Sequence, residues 1–208
     1  MKKQVIFAVI SILLAAIGFS GCKKDNNNSS SIKNTVWTGE SNYTGKAPEP
    51  ISIVFGEDGA LTWNELTGEY SGTWKLENGL LTISIGGSVS FKANISSDST
   101  LTNIKSSDMS GRTLNNATLN RSADAVLDNT TWTSNYVTLK FKFNNTVDLY
   151  FVTNLTFLGV SYVQKEKSIR FNVNPDFKWF LVTNSTSMKG ASSYAPNPAV
   201  NIFVVTRQ

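Results

Sequence analysis

Apolar and polar residues alternate along most of the chain beyond residue 33. The alternation is clearest in the runs 51–55 and 137–143, where Ile, Val, Leu or Phe occupies every second position. Side chains that recur with a period of two lie on one face of a strand. An Asp-Gly pair at 58–59 and an Asn-Gly pair at 78–79 interrupt such runs, and both pairs tolerate the positive φ values of tight hairpins. The pattern predicts an all-β fold of antiparallel strands, about seven in each half of the chain.

The first 21 residues follow a different pattern. Lys2 and Lys3 precede an apolar run, residues 5–17, that only Ser11 interrupts. A helix that spans a bilayer needs about 20 apolar residues, so this run is too short, and its layout is that of a secretory signal peptide. We therefore expect residues 1–21 to be cleaved off.

Small residues close this leader at Phe19-Ser20-Gly21-Cys22, a sequence that resembles the lipobox of bacterial lipoproteins. The resemblance implies that Cys22 carries a lipid and becomes the mature N-terminus. The protein would then be held on a membrane of the bacterial cell envelope, with the outer membrane as the expected location. Residues 22–33 are polar and rich in asparagine and serine, a composition that favours a flexible tether.

The rest of the chain repeats itself. Residues 34–38, with the sequence NTVWT, return as NTTWT at residues 129–133, and further landmarks follow in the same order. Their common order and nearly constant spacing indicate an internal duplication, which predicts two units, residues 34–121 and 129–208, joined by a linker at 122–128. The further landmark pairs are Phe55 with Phe143, Trp63 with Phe151, Gly72 with Gly159, and Leu101 with Met188.

Four segments of the first unit are similar to the lipocalin-like domains found in many bacterial lipoproteins. They are Trp37-Thr38, the segment from Phe55 to Leu61, Gly72-Thr73-Trp74 and Leu119-Asn120-Arg121. The second unit carries the same pattern with Ser161 in place of the strand tryptophan. The resemblance implies two tandem small antiparallel up-and-down β-barrels, and closure into barrels would remove exposed strand edges.

The composition narrows the chemistry. The chain contains no histidine, and its single cysteine is Cys22. The commonest general base and metal ligand is therefore missing, and no disulfide can form within one chain. Without the two leader lysines, 17 basic residues face 15 acidic residues, and a net charge of +2 gives no reason to expect nucleic acid as a partner. We predict no catalytic residue, no metal and no cofactor.

Three aromatic residues are candidates for ligand binding. Trp63 and Phe151 lie near the end of the second predicted strand of their units, where either could line the mouth of a barrel. Trp179 and Phe180 are adjacent on a predicted strand, so one of the two rings leaves the core of its own unit. The alternative for Trp63 and Phe151 is core packing. The outward ring of the Trp179-Phe180 pair either packs between the two units or forms a patch for a partner or a sugar ring.

Basic residues of the second unit are a second set of candidates. The first unit has six basic and nine acidic residues, a net charge of −3, whereas the second has eight basic and three acidic residues, a net charge of +5. These opposite charges could orient the two units against each other, attract an anionic partner, or belong to a solvated outer face. The residues of interest are Lys140, Lys142, Lys165, Lys167 and Arg170, of which Lys140 and Lys142 join the ligand-binding candidates.

The function that these features favour is a non-catalytic binding or assembly module, with a glycan, a peptide or an envelope protein as its partner. Two alternatives stay open. One is a glycan-active enzyme that uses carboxylates alone, for which Glu65 and Glu69 are the residues to test. The other is an inhibitor of an envelope protease that acts through a projecting loop, for which residues 40–50 are the candidate.

Overall fold

A computed structural model of the chain describes residues 32–42, 45–87, 89–95, 100–106, 113–120, 126–195 and 197–208. These ranges contain sixteen strands and a short 3-10 helix at Glu57–Gly59, and no α-helix lies within them. The predicted all-β fold is therefore confirmed. The expected signal peptide, Cys22 and most of the expected tether and linker lie outside the described residues.

The first eight strands form one antiparallel sheet. Its strand order is β7-β6-β5-β4-β3-β2-β1-β8. The sheet curls, so that β7 and β8 at its two ends approach each other. Closure of this sheet into a barrel stays a prediction. The strands are β1 (Thr35–Asn42), β2 (Glu49–Phe55), β3 (Ala60–Glu65), β4 (Gly68–Glu77), β5 (Leu80–Ile85), β6 (Val89–Ile95), β7 (Leu101–Ser106) and β8 (Thr113–Asn120).

The last eight strands form a closed barrel. Neighbours in the chain are neighbours in the barrel, and β9 closes it by pairing with both β10 and β16. A barrel in the second half is thus confirmed, with eight strands where the sequence predicts about seven. The strands are β9 (Thr131–Thr133), β10 (Val137–Lys142), β11 (Thr146–Phe151), β12 (Thr156–Lys165), β13 (Ser168–Asn174), β14 (Phe177–Asn184), β15 (Ser187–Tyr194) and β16 (Asn197–Arg207).

Trp37 and Trp132 have matching surroundings in the two sheets. Both side chains are fully buried. Trp37 Nε1 donates a hydrogen bond to Thr35 Oγ1 at 3.2 Å, and Trp132 Nε1 donates to Thr130 Oγ1 at 2.8 Å. A buried indole N–H needs such a partner, and the threonine two residues earlier supplies it in each sheet.

The turn before each of these tryptophans is also the same. The hydroxyl groups of Thr35 and Thr130 donate to the backbone oxygens of residues 32 and 127, three positions earlier. Asn34 and Asn129 have φ values of 54° and 55°, a left-handed conformation that asparagine tolerates better than most residues. Both units therefore begin with one local structure.

Aromatic rings fill the interiors of both sheets. In the first sheet, Trp63 stacks on Phe91 with ring centroids 5.4 Å apart, and in the barrel Trp179 stacks on Phe171 at 5.5 Å. All four side chains are at most 3% exposed. Rings of this size bury 150–250 Å² each, so they supply much of the apolar surface that holds each core together.

One glycine sets the packing on the other side of the barrel. Gly190 of β15 lies opposite Phe203 of β16, and a Cβ atom at position 190 would be 2.4 Å from Phe203 Cζ. Carbon atoms do not approach so closely without displacement. The ring of Phe203 is therefore accommodated only because residue 190 has no side chain.

The strand registers correct the predicted pairing of Phe55 with Phe143. Aligned on the two buried tryptophans, Phe55 corresponds to Phe141, two residues earlier. Phe55 packs edge-on against Trp74 at 5.8 Å, as Phe141 does against Tyr162 at 5.2 Å. Phe143 instead lies in the turn after β10 and is 71% exposed.

A bulge explains a second correction. Tyr162, not Ser161, takes the place of the strand tryptophan, because the register between β11 and β12 shifts beside Asp148. At the shift Gly159 has a φ of 65°, and its N–H donates to Asp148 Oδ1 at 2.8 Å. An inserted residue of this kind reverses which side chains face inward, and a comparison of residue spacings does not detect it.

We predict that Thr130→Val destabilises the barrel. The substitution keeps the shape of the side chain but leaves Trp132 Nε1 buried without its acceptor, which costs about 1–3 kcal/mol. The free energy of unfolding, measured by urea denaturation, should fall by that amount. Thr156→Val, at an exposed strand position, is the matched control and should change it by less than about 0.5 kcal/mol. Equal effects of the two substitutions would contradict this account.

Candidate functional site

The three predicted aromatic ligand-binding residues lie in the two cores. Trp63 and Trp179 are fully buried, and Phe151 is 8% exposed. Core packing, the alternative for Trp63 and Phe151, describes what these two side chains do in the structure, and Trp179 also packs in the core of its own unit. Trp63 and Phe151 are also not equivalent, because the registers align Phe151 with Glu65 instead.

The two predicted lysines lie apart from these rings, on the outer surface of β10. Lys140 Nζ lies 4.9 Å from the centre of the Tyr150 ring, and Lys142 Nζ lies 2.7 Å from Asp148 Oδ2. Burial alone would raise the pKa of Asp148, but hydrogen bonds from Lys142 and the Gly159 N–H, together with the lysine's charge, lower it. Lys142 thus supports the bulge, and the five predicted residues do not form one site.

The outer faces of β2, β3 and β4 meet the outer faces of β12 to β15, and we call this contact the interface. Arg170 of β13 lies at its centre. Its Nη2 atom donates to the backbone oxygens of Glu65 at 2.6 Å and Gly68 at 2.8 Å, and Nη1 donates to that of Leu66 at 3.3 Å. One guanidinium group therefore holds the whole β3–β4 turn against the barrel.

An aromatic ring and nearby carboxylates stabilise the positive charge of Arg170, whose position is fixed by its three hydrogen bonds. Its Cζ atom lies 5.2 Å from the centre of the Phe180 ring, close enough for a cation–π interaction. Burial lowers the pKa of Arg170, whereas the negative charges of Glu69 and Glu65 oppose that change. A guanidinium group stays protonated in such a site, so the positive charge at the interface is permanent.

Two ion pairs flank Arg170 across the interface. Lys165 Nζ lies 2.7 Å and 2.9 Å from the two carboxylate oxygens of Glu69, and Lys189 forms an ion pair with Glu40. In each pair the lysine belongs to the barrel and the glutamate to the first sheet. The opposite net charges of the two halves are thus matched by pairs that orient them, one of the alternatives that the sequence left open.

A small apolar cluster completes the interface. Leu66, in the β3–β4 turn, packs with Phe180, Val182 and Ala191 on the outside of the barrel. Phe180 is fully buried there, while its neighbour Trp179 is buried inside the barrel. The ring that leaves its own core is therefore covered by the other unit.

Beside Arg170 the interface opens into a groove of about 540 Å³, which we call the interface groove. Asn64 reaches it because its neighbours on β3, Trp63 and Glu65, face the other side of the sheet. Asn64 is only 3% exposed, and its Nδ2 atom has no hydrogen-bond acceptor among the described residues. The groove is lined by Asn64, Gly68, Glu69, Val163, Lys165, Ser168 and Arg170.

Two smaller grooves follow the same contact between the halves. One of about 290 Å³ includes Glu40 and Lys189, and one of about 180 Å³ lies between Glu49 and Val200. These three grooves therefore follow the line where the two units meet, and the one beside Arg170 is the largest of the three.

The carboxylates proposed for an enzyme face opposite sides of one sheet. Glu65 accepts hydrogen bonds from Trp63 Nε1 at 2.9 Å and Thr67 Oγ1 at 2.6 Å on the core side. Glu69 lies on the outer side with Lys165. Among the described residues, no group of three or more acidic, cysteine or histidine side chains could hold a metal ion.

Sequence reasoning noted Arg170 and Lys165 but missed Asn64. A polar residue between two core positions of a strand is expected to face solvent, and the pattern of one strand cannot show that another unit covers that face. The sequence suggests a solvated or a catalytic carboxylate at Glu69 and does not indicate its ion pair with Lys165. The signal that could have pointed to the interface is the opposite net charge of the two halves.

Comparison of the chain with protein-family models, with curated proteins and with solved structures returned no match. Within the part of the chain that the structure describes, no helix has the length and apolar character needed to cross a membrane. The fold and the interface together define an all-β protein of two packed sheets with a ligand-sized groove between them.

We predict that Arg170→Lys weakens the interface although it keeps the charge. A lysine has no rigid fork that can reach three carbonyl oxygens, and hydrogen bonds to a charged group contribute about 1.5–3 kcal/mol. The free energy of unfolding should decrease by an amount in that range, and amide hydrogen exchange at residues 66–68 should accelerate. Arg207→Lys, on an exposed residue of β16, is the control. Unchanged amide exchange in Arg170→Lys would show that a positive charge alone is sufficient to hold the β3–β4 turn against the barrel.

Proposed function

We propose that this chain is a non-catalytic binding or assembly module, anchored by a lipid to a membrane of the bacterial cell envelope. The observation that carries the binding role is the interface groove, whose volume of about 540 Å³ falls within the roughly 300–1,000 Å³ of small-ligand sites. Such sites occur preferentially where two folded units meet. The support for the lipid anchor is the resemblance of residues 19–22 to a lipobox, and the proposed location is the outer membrane.

The filled interiors support a site between the units over a site inside them. Trp37, Trp63, Trp132 and Trp179 are all fully buried in the two cores. We retain the lipocalin-like resemblance as a proposal about both units, and the sequential antiparallel strand order of each sheet supports it. In this proposal the scaffold resembles a carrier, but the ligand lies outside the barrels.

We also propose that the two units arose by duplication. The support is the shared entry into each sheet, in which a left-handed asparagine is followed by a threonine that caps the indole of Trp37 or Trp132. Units at residues 34–121 and 129–208 agree with the extents of the two sheets. A duplication explains how two outer faces came to pack together on one chain.

The positions of the acids support a non-catalytic role over a carboxylate enzyme. Glycoside hydrolysis needs two carboxyl groups that flank one bond, about 5–9.5 Å apart, and Glu65 and Glu69 face opposite sides of the sheet. The carboxylate of Glu65 also accepts hydrogen bonds from Trp63 and Thr67. The absence of histidine from the sequence removes the usual alternative base.

The loop proposed for a protease inhibitor, residues 40–50, lies partly in strands β1 and β2. Glu40 belongs to β1 and pairs with Lys189, whereas Glu49 and Pro50 belong to β2 and are buried. Only residues 43–48 connect the two strands. Because both ends of this connection are held near the barrel, we favour a binding or assembly role.

The experiment that tests the non-catalytic role is incubation of the full chain with bacterial cell-wall glycan and with a denatured protein substrate. We expect both to be recovered unchanged by mass spectrometry. The proposal would be overturned in favour of the enzyme by hydrolysis that survives removal of trace contaminants. Glu65→Gln and Glu69→Gln would then abolish that hydrolysis without altering the free energy of unfolding.

We predict that Cys22→Ser releases the protein from the membrane. Serine cannot form the thioether that carries the lipid, so the variant should appear in the soluble fraction of a bacterial host that has an outer membrane. Incorporation of radioactive palmitate, measured in parallel, should be lost. Ser30→Ala, in the expected tether, is the control and should stay with the membrane. Equal membrane association of Cys22→Ser and the parent chain would contradict the lipid anchor.

A further inference from the structure

We propose that the interface groove is a binding site for a small organic carboxylate, with Asn64 Nδ2 as its hydrogen-bond donor and with Lys165 and Arg170 as its positive charges. This inference rests on the proposed function, because it names the class of ligand that the binding module takes. It depends on three observations, which concern the buried amide of Asn64, the balance of charge in the groove, and the shape of its walls.

The buried amide is the first observation. Asn64 Nδ2 has no acceptor among the described residues, although Asn64 is only 3% exposed. An unsatisfied buried donor destabilises a protein, and buried polar groups in proteins are nearly always paired. Asn64 lines the groove with Nδ2 just beneath its surface, so a ligand oxygen that displaces the atoms covering it would accept this hydrogen bond and remove the cost.

The balance of charge is the second observation. The lining includes two cations, Lys165 and Arg170, and one anion, Glu69, so the groove has a net positive charge. Arg170 is fixed by three backbone oxygens and supplies a charge that cannot turn away. An acceptor that also carries negative charge therefore fits the site better than a neutral one.

The Lys165–Glu69 pair is able to rearrange around such a ligand. Its side chains are 57% and 40% exposed, and ion pairs on the surface contribute little to stability. Lys165 can thus exchange the carboxylate of Glu69 for that of a ligand at little cost. Ser168 Oγ, which donates to Lys165 O at 2.8 Å, keeps the backbone of this turn in place.

The shape of the walls is the third observation. Gly68 contributes no side chain, and Val163, which is 59% exposed, presents a methyl-bearing face. A volume of about 540 Å³ is larger than a free inorganic anion requires. The ligand we infer is therefore a carboxylate on a carbon skeleton, such as a sugar acid, with its skeleton against Val163.

Three small probes distinguish a carboxylate site from a hydroxyl site. Glucuronate carries a carboxylate on a sugar ring, glucose carries the ring alone, and acetate carries the carboxylate alone. Titration of the full chain, followed by isothermal calorimetry and by the NMR signals of the Asn64 side-chain amide, should show binding of glucuronate. We expect weaker binding of acetate, no binding of glucose, and an affinity that falls as salt concentration rises.

Asn64→Asp is the decisive variant, because it keeps the shape of the side chain and replaces the donor with a negative charge. We expect it to lower the affinity for glucuronate by at least about tenfold, which corresponds to roughly 1.4 kcal/mol. Asn172→Asp, at an exposed position of β13, is the matched control and should bind as the parent chain does. Lys165→Met removes the charge of a half-exposed ion pair at the interface, keeps the three hydrogen bonds of Arg170, and should lower the affinity several-fold.

Several results would overturn the proposal. Binding of glucose as tight as that of glucuronate would show that the groove recognises hydroxyl groups, and unaltered binding in Asn64→Asp or Lys165→Met would place the ligand elsewhere. No shift of the Asn64 amide signals with glucuronate or acetate would exclude a carboxylate from this groove. That last result would leave the proposed function standing, since cell-wall glycan hydrolysis and membrane release test it independently.

Discussion

The arrangement of the two units depends on the hydrogen bonds that Arg170 donates to the β3–β4 turn. Three carbonyl oxygens of one unit accept from a single guanidinium group of the other. A turn has few side chains with which to hold a partner, and its backbone oxygens are acceptors that must be satisfied when they are covered. The apolar cluster around Phe180 and the ion pair of Lys165 lie to either side of this contact, so both depend on its position.

The fold of each unit was largely predictable from its own residues. Alternation with a period of two predicts the strands, and the Asn-Gly pair at 78–79 predicts the turn between β4 and β5, where both residues have positive φ. The repeated Thr-x-Trp predicts matching environments for Trp37 and Trp132, because a large ring with one polar atom needs the same burial and the same acceptor in each copy. These features are local, and local patterns record them.

The candidate site was much harder to predict, because it depends on contacts between residues about 100 positions apart. Asn64 occupies an outward position of an ordinary strand, and nothing near it in the sequence shows that β12 and β13 cover that face. The bulge at Gly159 also shifts β12 by one residue relative to the simple alternation. Trp63 and Trp179 are candidates because of their places on predicted strands, and both are core residues in the structure.

The close approach of Gly190 and Phe203 has a consequence for how this barrel can evolve. Any side chain at position 190 would overlap the ring opposite, and a smaller residue at position 203 would leave a cavity beside the glycine. Neither position can drift alone without loss of stability. Distant descendants of this chain should therefore either keep both residues or have exchanged them together, with the bulk moved from β16 to β15.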